Sequence, residues 1–318
     1  MVKIFRGKAY GRVGLLGNPS DIYGGKCISF TFDKSAEVSV DSCDELRIIG
    51  NGDLEEKTLK YNGKHDLVKA SIRHLGLDNE KICVKYESSV PLGSGLAGSS
   101  AIVIATIRAL NEKYSLGFGR YEIAERALRV ETEELKISAG FQDRYIISFE
   151  GACYMDFFGK EYMRETDPYG KIEKLDVSEI PFFLSLGVKP KNSAAVHNPL
   201  RERFLSGGED AREIKKGMDE IANLSVAGRT YLLERDWGNL GGLMDENTRL
   251  REKLCPHLPM DLEMISCAKE LGAFGAKVAG SGGSVIILTE DKNVSDEMSK
   301  EYPCYRPRIA GGFGGVSK

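Results

Sequence analysis

The segment Pro91–Ala101 reads PLGSGLAGSSA and sets Gly93, Gly95 and Gly98 in the spacing GxGxxG. Before it, Ile82, Val84 and Tyr86 alternate with polar residues, the period of a half-buried strand. After it, AIVIATIRAL (Ala101–Leu110) is apolar on nearly every side, which predicts a helix packed inside a domain. A glycine loop between strand and helix places free backbone N–H groups and the positive end of the helix dipole together, a natural seat for an anion. Ser99 and Ser100 add hydroxyls at the same end, and a hydroxyl there can ligate Mg²⁺ carried by phosphates. The Walker A pattern GxxxxGK[ST] is absent, so this would be a different phosphate loop. Two plainer readings stay open. A dinucleotide fold needs a second strand ending in an acidic residue about 20 positions on, and NEKYSLGFGRY is no convincing strand. A glycine turn with Ser99 or Ser100 as helix N-cap would also account for the loop.

Working outward, glycine is in excess: 36 of 318 residues, about 11% against an average near 7%. Hydrophobic residues at 42% and charged residues at 29% are ordinary globular values, so the excess does not come from disorder. Lys plus Arg number 44 and Asp plus Glu 47; without a cationic surplus the composition argues against a nucleic-acid binder. The seven cysteines are scattered without a CxxC pair and read as reduced thiols. The N-terminal MVKIFRGKAYGR has no long apolar core of a signal peptide, and no window approaches the roughly 18 apolar residues of a membrane span. A cytoplasmic location and no membrane partner are expected. The four histidines never fall at metal-ligand spacing, which disfavours a transition-metal hydrolase.

Short strands are predicted at Val2–Phe5, Val13–Leu16, Ile28–Phe32 and Ala36–Val40, and an amphipathic helix over Arg120–Lys136. Arg164–Glu179 is polar and carries the turn signal Asp167-Pro168-Tyr169-Gly170, so it marks the expected boundary between domains 1–175 and 176–318. The second half begins with a strand at Pro181–Val188. Helices follow near Gly208–Glu234, Asn239–Leu254 and Asp261–Leu271, and two strands flank a Gly280–Gly283 turn. Strands and helices mix without strict βαβ alternation, which favours an α+β class.

PLGSGLAGSSA resembles the phosphate loop of the GHMP small-molecule kinases. Two further segments look like family motifs in the expected order: GRVGLLGNPSDIYGG (Gly11–Gly25) and AKVAGSGGSVIIL (Ala276–Leu288). Within the family, GLAGSSAI, AGFQDRY (Ala139–Tyr145), GACYMDF (Gly151–Phe157), VHNPLRERF (Val196–Phe204) and LMDENTRLREKL (Leu243–Leu254) are similar to glucuronokinase-like members. Asn198-Pro199 and the GGFGG tail at Gly311–Gly315 depart from that pattern. The resemblance implies the two-domain GHMP kinase fold, with a first domain like one of a ribosomal small-subunit protein and a ferredoxin-like second domain. It also implies ATP and Mg²⁺ as cofactors and transfer of the γ-phosphate to a sugar hydroxyl, the anomeric one of D-glucuronate. A neutral sugar, a heptose derivative or an isoprenoid precursor is the alternative acceptor. A regulator without catalysis and an NAD-dependent oxidoreductase are the more distant ones. The partner would be a small sugar or sugar acid, and the chain a monomer or homodimer.

By the same resemblance Pro91, Gly93, Ser94, Gly95, Leu96, Ala97, Gly98, Ser99, Ser100 and Ala101 would hold the nucleotide phosphates. On a helical wheel Glu131 falls in the apolar arc of Ala124, Ala127, Leu128 and Leu135 while Glu133 points outward. A carboxylate on a buried face needs a cation or donors. Mg²⁺ shared with Ser100 would serve, Glu134 is the second candidate ligand, and pairing with a neighbouring Arg or Lys is the structural alternative. Asp143, expected in a loop at a cleft edge, would be the general base, with Arg12 as the cation keeping it ionised. Asp21 would bind sugar hydroxyls, and Arg144, Arg201 and Arg203, in that order, are candidates for a uronate carboxylate. Gly280, Ser281 and Gly282 would approach the substrate from the second domain. Otherwise Asp143 and Asp21 are turn residues, Arg201 and Arg203 a solvated helix face, and Gly280–Gly283 a plain hairpin turn. His197 reads as a surface residue.

Overall fold

The computed structural model describes residues 3–50, 52, 55–160, 169–187 and 194–311, with side chains from 200 onward in the last segment. Asp167, Pro168, the tail beyond Gly311 and the side chains of His197, Asn198 and Pro199 lie outside the described residues.

In chain order the first half comprises β1 (Phe5–Leu16), β2 (Lys26–Ser42), β3 (Arg47–Gly50), α1 (Asp66–His74), β4 (Ile82–Ser88), α2 (Gly98–Tyr114), α3 (Arg120–Arg129), α4 (Gln142–Phe149) and β5 (Ala152–Asp156). There follow β6 (Lys171–Leu175), β7 (Phe182–Leu186), α5 (Ala194–Leu205), α6 (Gly208–Glu234), α7 (Trp237–Leu254), α8 (Pro259–Glu270), β8 (Gly275–Val278), β9 (Ser284–Leu288), α9 (Lys292–Met298) and β10 (Cys304–Tyr305). The α+β class holds. The short strands expected at the N-terminus fuse into two long ones, because Lys8–Arg12 and Asp33–Ser35 keep the extended pairing that their polar residues had hidden.

The chain forms two compact units: Met1–Gly11, Lys34–Leu92 and Ala97–Phe149 make the first, and Arg12–Asp33, Gly93–Leu96 and Glu150–Lys318 the second. In the first unit β4 pairs in parallel with β3 (Ile48 opposite Val84) and antiparallel with the second half of β2 (Val38 opposite Tyr86). Helix α2 is buried from Ser100 through Ile107, the all-round burial its apolar sequence calls for. The helix expected over Arg120–Lys136 is α-helical only to Arg129. It continues as a π turn, Val130–Glu134, in which Leu135 N–H donates to Val130 O at 3.2 Å. Such one-turn insertions recur at functional sites because they re-aim side chains.

In the second unit the antiparallel sheet β10-β7-β9-β8 carries α8 and α9 on a core that includes Phe183, Met264, Val285, Ile287 and Met298. The first half of β2 pairs with β5, and β5 with β6. Gly241 of α7 and Gly275 of β8 face each other so closely that a Cβ on either would come within 2.3 Å of a backbone oxygen. That approach brings Asn247 and Arg251, an i, i+4 pair on α7, onto the end of β8.

Candidate active site

The loop and helix start belong to both units, and each part is described on its own. Gly93 (φ 73°), Gly95 (φ 75°) and Ala97 (φ 59°) all take the left-handed conformation, so the loop reverses repeatedly before α2 starts at Gly98. The N-cap is Ala97, which has no hydroxyl, and no side chain caps the helix. The expected Ser cap is therefore absent: Ser99 and Ser100 lie inside the first turn, Ser99 exposed and Ser100 buried. The first N–H groups of this 17-residue helix thus have no side-chain cap.

Also in the first unit, the π turn places Glu131 in the interior, 1% exposed, while Glu133 faces solvent and Glu134 accepts a hydrogen bond from Tyr61 Oη at 2.8 Å. Arg144, itself buried, forms an ion pair with Glu131 through Nη2 and donates from Nη1 to Gly140 O at 2.9 Å. Its Nη1 also lies 3.9 Å from Asp143 Oδ2, so one guanidinium serves two carboxylates. Asp143 stands in the first turn of α4 and not in a loop, its side chain about one-fifth exposed (21%). Within this unit Arg144 is a cation near Asp143, which residue order had not paired with it.

In the second unit Arg12 is buried and donates from Nη1 to Gly95 O at 2.6 Å and to Ala279 O at 3.1 Å. Its backbone N–H reaches Leu96 O at 3.1 Å, and Ser284 Oγ donates to Ser94 O at 2.7 Å. The Gly280–Gly283 turn therefore packs against residues 93–96. Only glycine fits at Gly280, where a Cβ would lie 2.2 Å from Gly95 O and 2.7 Å from Arg12 Nη1. Asp261 holds the far side of the turn, accepting the Gly283 N–H at 2.9 Å.

Three successive carbonyls of this motif each accept from a different buried cation: Val278 O from Lys277 Nζ (2.8 Å), Ala279 O from Arg12 (3.1 Å) and Gly280 O from Arg251 Nη1 (2.9 Å). Burial, with Arg251 and Arg12 nearby, pushes the Lys277 amine well below the usual lysine range. Burial also lowers Arg251. Lys277 and Arg251 escaped the sequence reading. The one available signal was a charged residue inside the apolar run Ala276–Ala279.

The first motif supplies Asp21, buried in a short 3₁₀ turn, Ser20–Tyr23. Tyr23 beside it is pushed up in pKa by burial and by the Asp21 charge, while Arg201 and Arg203 pull it down. These groups therefore share one neighbourhood, closed by the edge-on contact of Tyr23 with Phe204 of α5. Arg203 is exposed and bound by both nitrogens to Asp210, at 2.9 and 2.7 Å; Arg201 is half-buried.

A family model described as the GHMP kinases N terminal domain matches residues 65–151, and one described as GHMP kinases C terminal matches residues 229–304. The chain belongs to the GHMP kinase family. Members of this family draw phosphate from ATP. This GHMP kinase is 32% identical to "Probable glucuronokinase 2" of Arabidopsis thaliana, an alignment covering 90% of this chain and 84% of the relative. It is 26% identical to a D-glycero-alpha-D-manno-heptose 7-phosphate kinase of Campylobacter jejuni, covering 91% of each. Among solved structures, the phosphomevalonate kinase of Streptococcus pneumoniae in complex with phosphomevalonate and AMPPNP superposes with a TM-score of 0.79. That match has 15% identity and covers 96% of this chain and 99% of the other. Among the described residues of the kinase no helix is long and apolar enough to cross a membrane.

The donor set suits Mg²⁺. Among the described residues no group of three or more His, Cys, Asp and Glu could cage a metal. Mg²⁺ asks for less, one or two protein oxygens plus phosphates and water. Glu131 Oε1 is a buried carboxylate oxygen without a hydrogen-bond partner, open to a hard cation even with Arg144 at Oε2.

Proposed function

We propose that this GHMP kinase transfers the γ-phosphoryl group of ATP to the anomeric hydroxyl of D-glucuronate, giving the sugar 1-phosphate. The observation that carries this reading is the 32% identity to a probable glucuronokinase along 90% of the chain. The uncapped start of α2 and the loop Pro91–Gly98 would cradle the phosphates of ATP, as the bound AMPPNP of the Streptococcus relative suggests. Mg²⁺ would supply charge neutralisation on those phosphates, held by Ser100 and Glu131. Asp143 would accept the proton of the attacking hydroxyl, with the Arg144 guanidinium 3.9 Å from its carboxylate. Arg12 would offer positive charge to the transferring oxygens. Asp21 would orient the sugar hydroxyls, and the backbone of Gly280–Gly282 would border the acceptor.

Arg144 is engaged by Glu131 and Arg203 by Asp210, so the acceptor carboxylate would fall first to Arg201 near Tyr23. A phosphorylated heptose is the second reading, favoured by the Campylobacter relative matched over 91% of its length. A panel of D-glucuronate, galactose, mevalonate and heptose phosphates with ADP detection separates these: D-glucuronate turns over, and release of ADP with another acceptor alone overturns the proposal. Asp143→Asn should lower kcat about 10²- to 10⁴-fold with ATP affinity retained; a wild-type rate would remove Asp143 from its role.

A further inference from the structure

The turn that carries Asp21 is held by two buried polar side chains from distant parts of the sequence. Asn247 of α7, fully buried, accepts the Gly17 N–H at Oδ1 (2.9 Å) and donates from Nδ2 to Asn18 O (3.2 Å). It thus completes the backbone pairing of the turn as another strand would. Lys277 of β8, 1% exposed, donates to Asn18 Oδ1 at 2.7 Å, Gly14 O at 3.2 Å and Val278 O at 2.8 Å. One amine meets three acceptors, and two of those belong to the first glycine motif. Asn18 is therefore gripped twice, at its backbone oxygen by Asn247 and at its side-chain oxygen by Lys277. Two residues further on, the chain enters the Ser20–Tyr23 turn with Asp21.

A lysine that only stabilised a core would be replaced with little loss by an apolar residue, because burying an amine without a carboxylate costs free energy. Here the amine joins the first motif to the third at a single atom. We propose that Asn247 and Lys277 are positioning residues for the acceptor: they fix Asn18 and so set where Asp21 stands. The inference rests on the reading of Asp21 as an acceptor ligand.

Steady-state kinetics on the full chain, with D-glucuronate or whichever acceptor the panel identifies, tests it. Asn247→Leu and Lys277→Met should each raise the acceptor KM about tenfold, the worth of one or two lost hydrogen bonds in ground-state positioning, and leave the KM for ATP within about twofold. Asn247→Asp keeps the acceptor for Gly17 N–H and loses the donor to Asn18 O, so its KM should fall between wild type and Asn247→Leu. This variant carries the test if Lys277→Met does not fold. An unchanged acceptor KM, or acceptor and ATP KM rising together as general loosening would produce, overturns the inference. Asp21→Asn separates the two layers. If it leaves acceptor KM unchanged, the reading of the turn and the inference both fall; if it raises KM while the Asn247 and Lys277 variants do not, the inference alone falls.

Discussion

In the first unit the buried carboxylate of Glu131 meets the buried guanidinium of Arg144; in the second, buried Lys277 and Arg251 meet backbone carbonyls. Only the first sets a cation against an anion, and there Glu131 Oε1 keeps no hydrogen-bond partner. Peptide dipoles compensate a cation less completely than a carboxylate does, and burial with Arg251 and Arg12 nearby pushes the Lys277 amine well below the usual lysine range. Asp261 and Glu252 act on Arg251 in the opposite sense, and Asp261 also accepts the Gly283 N–H. An ion pair is a self-contained structural element, whereas basic groups held by carbonyls depend on peptide dipoles.

The largest break in this comparison should come from Glu131→Gln. It strands Arg144 in the interior without its buried carboxylate partner, at a cost of about 3 kcal/mol or more, and removes the negative charge from the oxygens proposed to hold Mg²⁺. Thermal denaturation should fall by several degrees, and the Mg²⁺ concentration for half-maximal rate should rise.

A smaller effect is expected from acid. His257, buried in the second unit, is held down to about 4 by burial and by Arg251, against the opposing contact with Glu252. Its folded pKa lies below the unfolded value, so the stability it contributes is complete above about pH 6.5 and lost as pH falls toward 4, about 2 kcal/mol by pH 5. Denaturant titrations at pH 7 and pH 5 should show that slope in the wild type, and His257→Gln should flatten it. An equal slope in both proteins would mean that a further cation is tolerated beside Arg251.

Lys277→Met should change stability by no more than about 2 kcal/mol, since relief of the buried charge offsets the hydrogen bonds lost by three oxygens. Smallest, and most diagnostic, is the sign of coupling. Glu131→Gln combined with Arg144→Met should destabilise by about 1 kcal/mol or more below the sum of the single changes. Lys277→Met with Arg251→Met should exceed its sum by about 0.5 kcal/mol, because each single change already relieves the same repulsion. Couplings of equal sign would erase the contrast between the units.

The glycine motifs and the inward position of Glu131 were readable from residue order, since spacing and helical period are local properties. The α+β class was readable for the same reason. Asp143 was misplaced into a loop because Gly140 and the polar Gln142-Asp143-Arg144 hide a helix whose first turn accepts an acid. The Ser99 or Ser100 cap was inferred from residue type, whereas Ala97 takes the cap position through a left-handed backbone. Arg144, first choice for a substrate carboxylate, also pairs with Glu131, a partner 13 residues away that residue order did not single out.

The sequence by itself determined the family and the α+β class, because the glycine motifs and the helical and strand periods are written in short contiguous stretches. Tertiary structure alone decided which charges meet. Lys277 lies 259 residues from Asn18, and Asn247 lies 230 from Gly17. Pairing over such separations depends on how α7 and β8 pack, and no local pattern encodes whether a buried cation will find a carboxylate or a carbonyl.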